Sequence, residues 1–147
     1  MHHVRWNVRR INMSIKSKIK YDHEKIKTLI DDITAMGNRK NELRKPMFER
    51  LKKEVLILHS AEEEVLYCKA KNVTSSSIIN DLTEENATIE AIIKKMDRVQ
   101  LNSKKWHEYF LLLKQFLVKH FEKEEKKLIK KLKKSIDATE DQSIEQE

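Results

Sequence analysis

The sequence predicts an all-α protein, an up-down-up-down antiparallel four-helix bundle, and three observations carry that expectation. The 147 residues include one glycine, Gly37, and one proline, Pro46, so the tight turns of a sandwich, barrel or parallel sheet have almost nothing to be built from. Charged residues make up 37% and hydrophobic residues 39%, which suits long amphipathic helices and is too apolar for a wholly disordered chain. Apolar residues recur at helical spacing in four segments separated by short stretches of turn chemistry. Short connections between long helices favour antiparallel neighbours.

The first helix is expected from Ile15 to Met36, ending at Gly37 in the left-handed C-terminal cap position. Asn38 to Lys45 then connects it to a second helix that starts near Pro46 and runs to Lys71, ahead of Asn72 and the cluster Thr74, Ser75, Ser76 and Ser77. The third covers Ser77 to Leu101, Asn102 and Ser103 interrupt the pattern, and the fourth runs from Lys104 to Lys134. The bundle domain is therefore 15–134. A basic extension, 1–14, and an acidic tail, 135–147, flank it, and both read as flexible. Met13 offers an alternative start, so residues 1–12 need not belong to the natural protein.

Composition also narrows the function classes. Cys68 is the one cysteine, so no internal disulfide forms, and no 18-residue apolar run exists to span a membrane. The acid-free start resembles a transit peptide, yet no apolar core region follows it, and the expected location is cytoplasmic. Lys123 to Lys134 form a basic amphipathic end. Lysines complement a helix C-terminus, and no aromatic stacking set accompanies them, which disfavours a nucleic-acid or membrane role.

Polar residues interrupt all four buried stripes. Reading at helical steps, the first helix gives Ile19, His23, Ile26, Ile30; the second gives Phe48, Leu51, Val55, His59, Glu63, Leu66; the third gives Leu82, Asn86, Ile89, Ile93; the fourth gives Leu113, Leu117, His120, Glu124, Leu128. Burying imidazoles and carboxylates in a bundle core costs several kcal/mol unless something compensates them. Counted outward from loop centres near residues 40, 73 and 102, the interruptions on facing helices agree in height to about 2 residues, or about 3 Å. They form one layer. His23, His59 and His120 would supply nitrogen, and Glu63 and Glu124, each one turn beyond a histidine, would supply oxygen able to bridge two ions. The H-x-x-x-E spacing is by itself a weak signal. A hydrogen-bonded polar layer without metal is the competing reading.

The segments around these residues are Asp22-His23-Glu24-Lys25-Ile26, Leu58-His59-Ser60-Ala61-Glu62-Glu63-Glu64-Val65-Leu66-Tyr67, Glu85-Asn86 and His120-Phe121-Glu122-Lys123-Glu124-Glu125. In order and spacing the chain resembles the hemerythrin-like HHE cation-binding domains over about residues 17 to 130. The resemblance implies a non-haem iron centre, two irons per chain, with one iron or manganese as alternatives. His23, His59 and His120 would be the nitrogen ligands, Glu63 and Glu124 the bridging carboxylates. It also implies oxygen or nitric oxide as small ligand, or iron handling. Family members that repair iron-sulfur clusters suggest a redox enzyme or repair factor as alternative. Metal and gas binding is favoured over dedicated catalysis, and no catalytic residue is assigned. Asn86 stands where the family usually has histidine, and an amide oxygen is a weaker iron ligand than imidazole. A metal-free interaction module with a decayed site is the third reading. Glu90, one turn beyond Asn86, falls where oxygen-carrying hemerythrins have a histidine, and it is either a replacement donor or a solvated residue. Tyr67, one turn beyond Glu63, is placed to hydrogen-bond a ligand. Cys68 replaces a family proline and has no activating base in sight. His107 is expected at the surface, and Trp106, Phe110, Phe116 and Phe121 in or beside the core.

Overall fold

The computed structural model describes residues 15–37 and 41–131. The expected 1–14 extension and 135–147 tail lie outside the described residues. Among the described residues there are four long helices and no strand. The first, Ile15–Met36, ends as expected at Gly37, whose φ of 58° is in the left-handed region that favours glycine.

The second helix differs from the sequence expectation at its start. It begins at Asn41, five residues ahead of Pro46, which lies inside it. Arg44 explains the early start: its buried guanidinium stacks over the Trp106 ring at 5.4 Å and donates to the Leu101 carbonyl at 3.4 Å, fixing the turn before Pro46. The α-helix runs to Ala61, widens into a π-helical turn at Glu62–Leu66, and closes with the short helix Tyr67–Ala70. The third helix, Ser76–Asp97, is capped by the Ser75 hydroxyl, which accepts from the Ile78 amide; it stops four residues before the expected Leu101. The fourth, Lys104–Lys123, is capped by Ser103 accepting from the Trp106 amide and continues into a second π-helical turn, Glu124–Ile129.

The apolar core is split in two. One cluster joins Ile26 to Ile33, Phe48 to Leu58, Ile89 to Met96 and Trp106 to Phe121. The other joins Ile19, Leu66, Tyr67, Ala70, Ile79, Leu82, Leu128 and Ile129. The first and third helices run from the second cluster to the first, the second and fourth helices run back, and this alternation is the up-down-up-down order. Between the clusters every helix places a buried polar residue: His23, His59, Glu62, Asn86, His120 and Glu124. The polar layer is a floor across the bundle.

Pro46 has no N–H to bond the carbonyl four residues back, so the second helix carries an avoidable defect. Pro46→Ala is expected to raise stability by up to about 3 kcal/mol, read as a higher urea midpoint; a lower midpoint would contradict the placement of Pro46 within a helix.

Candidate metal centre

His23, Glu62, Asn86, His120 and Glu124 are each no more than 1% exposed, and His59 is 2% exposed. Six buried polar side chains therefore meet out of reach of bulk solvent. Two groups of three have ligand atoms close enough to hold one ion: His59 with Glu62 and His120, and His23 with Glu62 and Glu124. Glu62 is common to both.

The two carboxylates lie between His23 and His120 and split their oxygens. Glu124 Oε1 is 3.0 Å from His23 Nε2, and its Oε2 is 3.2 Å from His120 Nε2. Glu62 repeats the pattern more loosely, with Oε2 3.7 Å from His23 Nε2 and Oε1 3.9 Å from His120 Nε2. Each thus presents one oxygen to either side.

The three histidines of the layer turn Nε2 inward and use Nδ1 on the outer side. His23 Nδ1 donates to Glu125 at 2.7 Å, His59 Nδ1 to Glu90 at 2.8 Å and His120 Nδ1 to Glu85 at 2.8 Å. Lys123 pairs with Glu85 in turn. Such outer carboxylates fix ring orientation and make the inward nitrogen a better donor. The His23 ring also stacks on Phe121 at 3.9 Å.

Electrostatics favour positive charge in this layer. Burial works against protonated imidazole, yet hydrogen bonds to Glu124 and Glu62 push His23 up to about 10 and His120 up to about 11. For Glu62, burial and then the Glu124 charge raise the carboxyl above its ordinary range. Glu124 is held well below its ordinary value because His120 and His23 outweigh its burial. Burial, followed by the charges of Glu62 and Glu124, raises the Tyr67 phenol, which stays protonated and donates to Glu124 Oε2 at 2.6 Å.

The structure corrects one member of the expected ligand set. Glu63 is exposed and accepts from Asn86 Nδ2 at 3.0 Å, whereas its neighbour Glu62 occupies the layer. The π-helical turn begins at Glu62 and shifts the register there. A sequence signal existed: the stripe Leu51, Val55, Leu58, Glu62 drifts only about 20° from its starting face, while the steps of four to Glu63 drift about 120°. Glu90 joins neither donor group and instead buttresses His59. Asn86 is in the layer, and Tyr67 is buried beside it. His107 is half-buried against Trp106 and accepts from Arg44 Nη1 at 3.4 Å, far from the layer in sequence and cluster. Cys68 is exposed, with its thiol donating to the Glu63 carbonyl. Trp106, Phe110 and Phe121 are buried, and Phe116 packs against them. Glu90 is singled out in the sequence as a replacement donor or a solvated residue and not as a buttress, and nothing in the pattern marks Glu85 and Glu125 for that role.

The residues fit a cation on a further observation. His59 Nε2, Glu62 Oε2 and Asn86 Oδ1 are buried without a hydrogen-bond partner. Three orphaned lone-pair donors in one layer are costly, and a metal ion satisfies all three kinds.

Comparison with known proteins agrees. The family model of the hemerythrin HHE cation binding domain matches residues 14–137. Neither the curated proteins nor the solved structures returned a match.

Glu62→Gln is expected to lower metal affinity at least about tenfold, with Glu63→Gln nearly silent, in a titration followed by elemental analysis. The reverse order would restore Glu63 to the centre. Glu90→Gln and Glu125→Gln, which keep the shape but weaken the acceptors behind His59 and His23, are expected to lower affinity about 10- to 100-fold.

Proposed function

Because the chain belongs to the hemerythrin HHE cation-binding domain family, we propose that its layer holds a non-haem di-iron centre that binds a diatomic gas, oxygen or nitric oxide. The observation that carries this reading is the sharing of Glu62 and Glu124 between His23 and His120, with one oxygen of each carboxylate turned to either side. A single-ion site has no need of that division. Imidazole and carboxylate donors together suit iron, and no thiolate competes, since Cys68 is exposed outside the layer.

His23, Glu62 and Glu124 would hold one ion; His59, His120 and the opposite oxygens of the carboxylates would hold the other. These donors are fewer than two six-coordinate ions accept, and iron so held supplies open positions for a small ligand and electrons to share with it. The chain's own part is to keep that space dry and charged in one sense. Phe121 covers His23, apolar clusters close the layer above and below, and Glu85, Glu90 and Glu125 lock the three imidazoles. Tyr67 offers a buried O–H beside Glu124.

A groove of about 170 Å³ opens between the first and second helices. Its walls include Asp22 and Ile26, which flank His23, and Leu58 and Ala61, which flank His59 and Glu62. Lys18 pairs with Asp22 and Lys25 with Glu54 at its rim, so the opening has no net charge and suits an uncharged molecule. Among the described residues no helix is long and apolar enough to cross a membrane.

Anaerobic reconstitution with ferrous iron is expected to give about two irons per chain, and nitric oxide is expected to change the optical and paramagnetic spectra of the loaded protein. His59→Ala and His120→Ala should nearly abolish iron binding, while Asn86→His should raise it. Wild-type protein that retains less than about half an iron per chain would instead support a metal-free helical module.

A further inference from the structure

The donor atoms of the layer fall on two sides, and one further oxygen belongs to only one of them. Tyr67 Oη lies 2.6 Å from Glu124 Oε2, 3.5 Å from Glu62 Oε1 and 3.5 Å from His120 Nε2. These are the inward nitrogen of His120 and the two carboxylate oxygens turned toward it. The other oxygens, Glu124 Oε1 and Glu62 Oε2, face His23, and neither is a hydrogen-bond partner of Tyr67. Two donors on adjacent corners of an octahedron, each about 2.1 Å from the ion, are about 3 Å apart. The phenol oxygen's separations bracket that value, so it sits at the spacing of a neighbouring donor.

We propose that Tyr67 is itself a ligand of the metal ion on the His59–His120 side, binding through its phenolate oxygen. This inference rests on the iron reading above and deepens it. Asn86 gives it a physical reason. The third helix is the one helix of the four that brings no imidazole to the layer, and its amide directs Nδ2 to Tyr67 Oη at 3.5 Å and to Glu63 at 3.0 Å. The second helix makes good the missing donor, and Asn86 donates to the oxygen that does so. Placement follows from the π-helical turn: its wide register brings Glu62 and Tyr67, five residues apart, to the same buried face, with Tyr67 only 3% exposed. When the bond to iron forms, the phenol O–H breaks and its proton leaves to solvent; no electron is transferred. The centre is then unequal, with the His59–His120 ion richer in donors and the His23 ion left with the open positions.

The test loads wild type, Tyr67→Phe and the control Tyr109→Phe with ferric nitrilotriacetate, and measures iron content, visible absorption and resonance Raman spectra. Wild type and Tyr109→Phe are expected to show a phenolate-to-iron(III) charge-transfer band with tyrosinate ring modes. Tyr67→Phe should lose both completely while retaining at least half the wild-type iron. A band that survives in Tyr67→Phe, or iron-loaded wild type without a band, would overturn Tyr67 ligation and leave the iron centre standing. Failure of wild type to hold iron would overturn the centre and the inference together. Loss of more than half the iron in Tyr67→Phe supports ligation only if the band is present in wild type; without it, the inference falls.

Discussion

Two carboxylates buried without exposure, Glu62 and Glu124, set the conditions for the rest of this structure. Each is shared between His23 and His120, and their negative charge lies midway through a bundle whose interior is otherwise aliphatic and aromatic. Desolvating such groups costs several kcal/mol per charge unless opposite charge and hydrogen bonds compensate. The imidazoles answer part of that demand, and hydrogen bonds to the two carboxylates push His23 and His120 up against the opposing effect of burial. The atoms left without a partner on His59, Glu62 and Asn86 are the part of that demand the protein does not meet itself, and a cation would answer it.

The helices deform to meet this demand. Both π-helical turns begin at the buried carboxylates themselves, Glu62 and Glu124, one on each helix that also carries a histidine a turn earlier. A π-turn widens the helix by one residue and changes which side chain faces inward, a local irregularity that recurs at functional sites. The same turns divide the core into two clusters, so packing above and below isolates the layer from water. Outside it, Glu85, Glu90 and Glu125 form a second ring of charge behind the imidazoles. Fold and layer are thus one arrangement, in which helix register decides which side chains are buried there.

Much of this was legible in the sequence. The helical period and the scarcity of glycine and proline gave the bundle, and the polar interruptions of His23, His59, Asn86, His120 and Glu124 at one height gave the layer. The one-turn spacing from His59 points to Glu63, although the 3.6-residue period from Leu51 already favours Glu62. What periodicity could not give was the π-turn that follows, which brings Tyr67 to the face of Glu62, because an ideal helix has no place for it. The outer glutamates were hidden for a different reason: Glu85, Glu90 and Glu125 are half-exposed acids on charged helix faces, indistinguishable by pattern from solvated residues. Their role depends on which ring nitrogen each meets across helices. Pro46 misled as a helix start because the anchoring of Arg44 on Trp106 is a tertiary contact.

The most direct measurement is anomalous diffraction at the iron edge from crystals of the reconstituted protein. The account expects two peaks inside the bundle, both between Glu62 and Glu124, one on the His23 side and the other beside His59 and His120. Density confined to surface acids, or a layer whose histidines and carboxylates bond only to one another after iron loading, would contradict it.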